Sequence, residues 1–146
     1  MAQRVDSFME DERVHRQNMA DAINSIESRG VGTISSFTRD TALASGSVSY
    51  TGIGFRPQTI IFLANQTTTD EMSIGFDNST SRLSLGQTSA GVWEVFATFS
   101  IVLIETNGVA SYKGLITSMD DDGFTISWTR EGTPSGTGVV LLMAFR

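Results

Sequence analysis

The feature that most constrains this chain is a change of hydrophobic period at Gly30. Up to Arg29 the apolar residues recur at helical spacing; from Val31 onward they alternate in short runs broken by turn residues, and no helical stripe returns. Such a chain is expected to fold as one helix, residues 1–30, followed by an antiparallel β-sandwich or jelly-roll-like domain, residues 31–146.

The helix has defined ends. Ser7-x-x-Glu10 forms a capping box in which each side chain satisfies the other's backbone donor. Asp6, Asp11 and Glu12 place negative charge at the positive end of the helix dipole. Arg29 suits the last turn and Gly30 the left-handed position that closes it. That gives ~23 residues and a length of ~34 Å. Val5, Met9, Glu12, Arg16, Met19, Ile23 and Ile26 follow one another at alternating four- and three-residue steps, the seam of a left-handed coiled coil with a polar centre. The stripe is narrow, because Asn18, Asp21, Asn24, Ser25 and Glu27 occupy much of the rest. It can serve a homo-oligomeric coil, docking on a different partner, or packing on the chain's own β-domain. The first is the expectation, with Glu12 and Arg16 fixing register between chains. Three short heptads are marginal alone, so the β-domain is expected to self-associate too.

In the β-region the candidate strands are Thr33–Thr38, Ala42–Tyr50, Thr59–Asn65, Met72–Phe76, Arg82–Gln87, Val92–Thr106, Val109–Met119, Phe124–Thr129 and Val139–Phe145. Asn107-Gly108 between apolar runs is the strongest hairpin signal. Strands at this spacing without intervening helices call for antiparallel sheets. Two strands, Thr59–Ala64 and Val139–Phe145, are apolar without alternation and so are expected to be covered on both faces. The second cover comes either from another subunit or from the N-terminal linker lying over one of them, with the two strands central to the two sheets.

Composition narrows the chemistry. The 146 residues carry a net charge of −6 and one lysine, Lys113, which excludes binding to nucleic acid through a basic surface. Zero cysteines exclude disulfides, a thiolate zinc site and a thiol nucleophile. No apolar run is long enough to span a bilayer, and the N-terminal residues do not read as a signal peptide, so the chain is expected in a cytosol or released by lysis. The single histidine, His15, lies on the helix, which leaves no Ser-His-Asp triad or multi-histidine metal site. Asp120-Asp121-Asp122-Gly123 lacks the later ligands of a calcium loop and reads as a turn, with the aspartates accepting local backbone donors and Gly123 in the strained position. Glu94, Glu105 and Asp120 are the carboxylates from which a glycosidase pair would have to be assembled, and nothing in their spacing places two together. The expectation is a protein that is not an enzyme and holds no metal or cofactor. Among the aromatics, Trp128 shares phase with Phe124 and Ile126 and belongs to the core, whereas Trp93 and Tyr112 are the candidates for contact with a glycan. Asn78-Ser79-Thr80 matches a glycosylation acceptor, of no use to a chain without a secretory signal.

Five motifs occur in one order: Gly46-Ser-Val-Ser-Tyr-Thr-Gly52, Gly54-Phe-Arg-Pro-Gln-Thr-Ile-Ile-Phe62, Ser73-Ile-Gly-Phe76, Asp122-Gly-Phe-Thr-Ile-Ser-Trp-Thr-Arg130 and Gly136-Thr-Gly-Val-Val140. Residues 40–146, which contain them, resemble β-sandwich modules in structural proteins of tailed bacteriophages and prophages. The resemblance implies a non-enzymatic virion protein assembled in the host cytoplasm. The expected form is a trimeric capsid decoration or head-fibre protein, with a tail-fibre or adaptor subunit or a carbohydrate-binding receptor module as the alternatives. Its implied partners are further copies of itself, other capsid or tail proteins and a host surface glycan, with no nucleic acid and no membrane. It brings no catalytic residues.

Overall fold

A computed structural model describes residues 13–21, 32–67, 71–88, 90–103 and 109–146. The chain divides into two compact units, residues 1–31 and 32–146. In the first, residues 13–21 are helical and exposed, and Gln17 Nε2 donates to Asp21 Oδ1 one turn on, at 2.9 Å. Arg16 and Met19 of the expected seam lie on this helix; Val5, Met9, Glu12, Ile23 and Ile26 lie outside the described residues, as does the Asn107-Gly108 turn.

Among its described residues the second unit holds strands and turns and no helix. Its strands are β1 (Gly32–Asp40), β2 (Gly46–Thr51), β3 (Thr59–Gln66), β4 (Met72–Asp77), β5 (Arg82–Gln87), β6 (Trp93–Phe96), β7 (Ile101–Leu103), β8 (Ser111–Asp120), β9 (Gly123–Glu131) and β10 (Thr137–Phe145). They form two antiparallel sheets, one ordered β1-β10-β3-β4-β5-β6 and the other β2-β9-β8-β7.

One core lies between the layers. Ile60, Phe62 and Ala64 of β3 and Val140, Leu142 and Ala144 of β10 meet Ile101 and Leu103 of β7, Tyr112 and Ile116 of β8, and Phe124, Ile126 and Trp128 of β9. Aromatic contacts link the sheets: Phe62 meets Phe124 edge-on at 5.8 Å, and Phe37 packs on Tyr50 at 4.0 Å. Burial alternates along β9 as its period-two pattern requires, with Phe124, Ile126 and Trp128 inside. Burial pushes the pKa of the Tyr50 phenol above its usual value, while the Trp128 indole N–H donated to its oxygen at 3.2 Å acts in the opposite sense.

Three expectations change. Val92–Thr106 is not one strand: β6 belongs to the six-stranded sheet and β7 to the other, and the chain changes layers between them. The crossing is fixed at Ser100. Its backbone N–H donates to Gly114 O (2.8 Å), its hydroxyl donates to Asp77 Oδ2 (2.5 Å), and the same oxygen accepts the Ile116 N–H (2.7 Å). A Cβ on Gly75 would stand 1.9 Å from Ser100 O, so only glycine lets the crossing segment lie against β4. Next, β3 and β10 are not central to two sheets but neighbours in one, and both alternate: one face is buried and the other, within the described residues, is not. Finally, the Asp122-Gly123 turn reaches beyond its own loop: Gly123 takes the positive φ expected of it, 158°, and a Cβ there would also lie 1.9 Å from Tyr50 O on β2. Asp122 accepts distant donors, the N–H groups of Gly52 (3.0 Å) and Gly54 (2.6 Å), and so ties the β2–β3 connection to the β8–β9 turn.

Asp77 is fully buried and also accepts from Ser79 N (2.6 Å) and Arg82 Nε (3.2 Å). Asp77→Ala would strand these donors together with the Ser100 hydroxyl. A loss of about 3 kcal/mol is expected, read as a lower urea midpoint with little change in slope. An unchanged midpoint would show that the crossing is held by other contacts.

Candidate interaction surface

The two sheets present opposite chemistries to the outside. On the four-stranded sheet the outward positions include Ser47, Ser49 and Thr51 of β2, Thr125, Ser127, Thr129 and Glu131 of β9, and Lys113, Leu115, Ser118 and Asp120 of β8. Ser49 and Thr125 hydrogen-bond across the strands at 2.8 Å. This is the polar outer face usual for a half-buried antiparallel sheet.

The six-stranded sheet does the reverse. Its register sets Ile34 beside Met143, Met143 beside Ile61, Ile61 beside Phe76 and Phe76 beside Leu83, one apolar row across five strands. A second row runs from Leu141 through Leu63, Ile74 and Leu85 to Val95. Leu63, Leu141 and Ile74 sit mid-sheet and are still 39%, 44% and 45% exposed. Of the outward positions of these strands only Asp40, at the end of β1, is charged. The unalternated runs of β3 and β10 follow directly: their inner residues fill the core, and their outer ones build this face.

The candidate glycan residues do not share a surface. Trp93 lies at the free edge on β6, 48% exposed. Tyr112 is fully buried, stacked on Trp128 at 5.1 Å, and its hydroxyl accepts from Arg39 Nη2 at 2.6 Å. Burial therefore removes Tyr112 from any ligand surface. The polar tip that suits a tyrosine to a ligand surface is satisfied internally here, with Arg39 5.5 Å over the ring. The Gly132–Gly138 connection is tied down by Gly136 O, which accepts from Thr41 N and Thr41 Oγ1, each at 3.0 Å.

The carboxylates disperse. Asp120 accepts from Thr125 Oγ1 (2.9 Å), Asp121 faces Arg56 (3.3 Å) and Asp122 holds the two glycine amides, so the aspartate run points at three different partners. Among the described residues no three His, Cys, Asp or Glu side chains group as metal ligands, and no helix is long and apolar enough to cross a membrane. His15 is exposed on the helix, and Glu105 lies outside the described residues. Asn78 turns its carboxamide oxygen inward to accept the Thr80 and Ser81 amides at 3.1 and 2.6 Å.

No family model and no curated protein matches the sequence. Among solved structures, the chain is similar to a tailspike protein of Acinetobacter baumannii bacteriophage Fri1, described as a capsular polysaccharide depolymerase. The TM-score is 0.34 and the identity 13%, over 79% of this chain and 18% of that one. This chain thus spans about a fifth of that structure's length, and a likeness at this level assigns neither its fold nor its activity to the present chain.

One ion pair borders the polar face. Lys113 Nζ donates to Glu131 Oε2 at 2.7 Å and lies 5.5 Å above the Phe99 ring. Hydrogen bonds from Lys113 and then Ser111 hold the Glu131 carboxyl below its usual range. A depressed carboxylate adds stability above its unfolded range, and that contribution disappears as pH falls through the folded value. Because Glu131 is largely exposed the effect is small. Lys113→Met should flatten the acid side of a stability profile measured between about pH 6 and pH 3; an unchanged slope would show that the pair contributes nothing.

Proposed function

We propose that this chain is a non-enzymatic structural subunit of a tailed-phage virion, working by protein contact. The observation that carries the reading is the apolar outer face of the six-stranded sheet, on a domain whose core is already complete without it. A soluble protein that leaves such a face open is built to have it covered. The virion setting rests on the ordered motifs between Gly46 and Val140, which resemble modules of phage structural proteins. A trimeric head decoration or head-fibre protein is the form proposed, with residues 1–30 zipping or anchoring the subunits; a tail-fibre or adaptor subunit is the nearest alternative. Its partners are then copies of itself and the capsid or tail proteins on which it sits.

An exposed Trp93 on a free edge favours one reading of another kind, a carbohydrate-binding module. That reading requires saturable binding to a surface glycan that weakens when Trp93→Ala is introduced.

Imaging particles of the encoding phage with an antibody to this chain tests the main proposal. Regular label over the head is expected. Label at the tail tip would select the tail-fibre form, and particles without the chain would end the virion reading.

A further inference from the structure

We infer that the apolar outer face of the six-stranded sheet is buried against the same face of neighbouring copies of this chain. The inference rests on the reading of the chain as an assembly subunit and names the surface that does the work.

Size is the first argument. Six strands about 4.8 Å apart are ~29 Å wide, and six residues at about 3.4 Å give ~20 Å along the strands, on the order of 600 Å² in plan. Corrugation of the side chains brings the accessible area close to the ~800 Å² per partner of a stable interface. Shape is the second. A helix with its side chains is about 10–12 Å across and covers little more than two strands of the six, so the occupant that fits is another sheet, packing ~10 Å away.

Charge then selects which sheet. With Asp40 alone at one corner, the face offers a foreign partner no pattern of charges to recognise. Its complement is a second uncharged apolar face, and the other outer face of this domain is polar, with serines and threonines beside the charged Lys113, Glu131 and Asp120. Of the two outer faces, this is the one that pairs apolar surface with apolar surface when set against itself. Two sheets face to face, or three around one axis, both satisfy it.

The test uses the full-length chain. Sedimentation of the wild type is expected to show a dimer or trimer. Leu63→Lys, at the centre of the face, should raise the dissociation constant on the order of 100-fold, while Ser47→Lys on the polar face leaves it unchanged. A chain without cysteine allows a second reading that does not require Leu63→Lys to fold. Leu63→Cys in the assembled protein should react with a maleimide far more slowly than Ser47→Cys. Equal labelling rates, or Leu63→Lys assembling like the wild type, would overturn this surface and leave the assembly reading standing. A monomeric wild type would overturn both.

Discussion

The chain passes between its two sheets four times, and the passage from β6 to β7 is the one built around a buried carboxylate. Between β6 and β7 the chain leaves one sheet for the other, and a crossing inside a two-layered protein must bring polar backbone through an apolar space. Ser100 resolves this by bonding to both layers at once: its hydroxyl donates to Asp77 of the six-stranded sheet and accepts from Ile116 of the four-stranded one. Gly75 clears the path, and Arg82 and the Ser79 amide complete the coordination of the buried carboxylate. With this junction in place Ile101 and Leu103 fall into the core, and the two sheets are held at one relative position.

That fixed position makes the difference between the outer faces meaningful. Both sheets place their large inward residues in the same core, so packing does not require the outward positions of β3, β4, β5 and β10 to be leucine, isoleucine, phenylalanine or methionine. The outward positions of β2 and β9 meet the same backbone requirements with serine and threonine, which shows what these strands need when nothing covers them. The apolar rows are a second use of the same pleat, and their cost is an exposed surface prone to unspecific association. A defined partner is the economical resolution, and covering a sheet face to face leaves its edges free for other contacts.

Much of this architecture was legible in the sequence, because period-two alternation and turn residues report directly on strands. Phe124, Ile126 and Trp128 were assigned to the core from phase alone, and that is where they lie. The layer change at Ser100 was not legible: Val92–Thr106 contains no glycine, proline, asparagine or aspartate to mark a break, and the break depends on Asp77 and Gly114, distant in sequence. Nor was the use of Asp122, whose acceptors turn to Gly52 and Gly54 across the fold instead of to its own loop. Tyr112 misled for a related reason, since its hydroxyl partner, Arg39, is 73 residues away. The unalternated runs of β3 and β10 arise because their outer positions are as apolar as their inner ones, although only the inner face is buried. That both runs are adjacent strands of one sheet, and extend through β4 and β5 into a continuous surface, required the register.

Net charge adds a last constraint. Each copy carries −6, so bringing copies together is opposed by a repulsion that grows with the number assembled. Placing the contact on a face with one charge at its corner removes the short-range part of that repulsion, where desolvation would make it most costly. Repulsion between charges farther apart than the screening length of about 8 Å at physiological salt is weak. In the proposed assembly the acidic residues elsewhere on the chain would oppose association, and the outer face of the six-stranded sheet, with Asp40 alone, would be where it is opposed least.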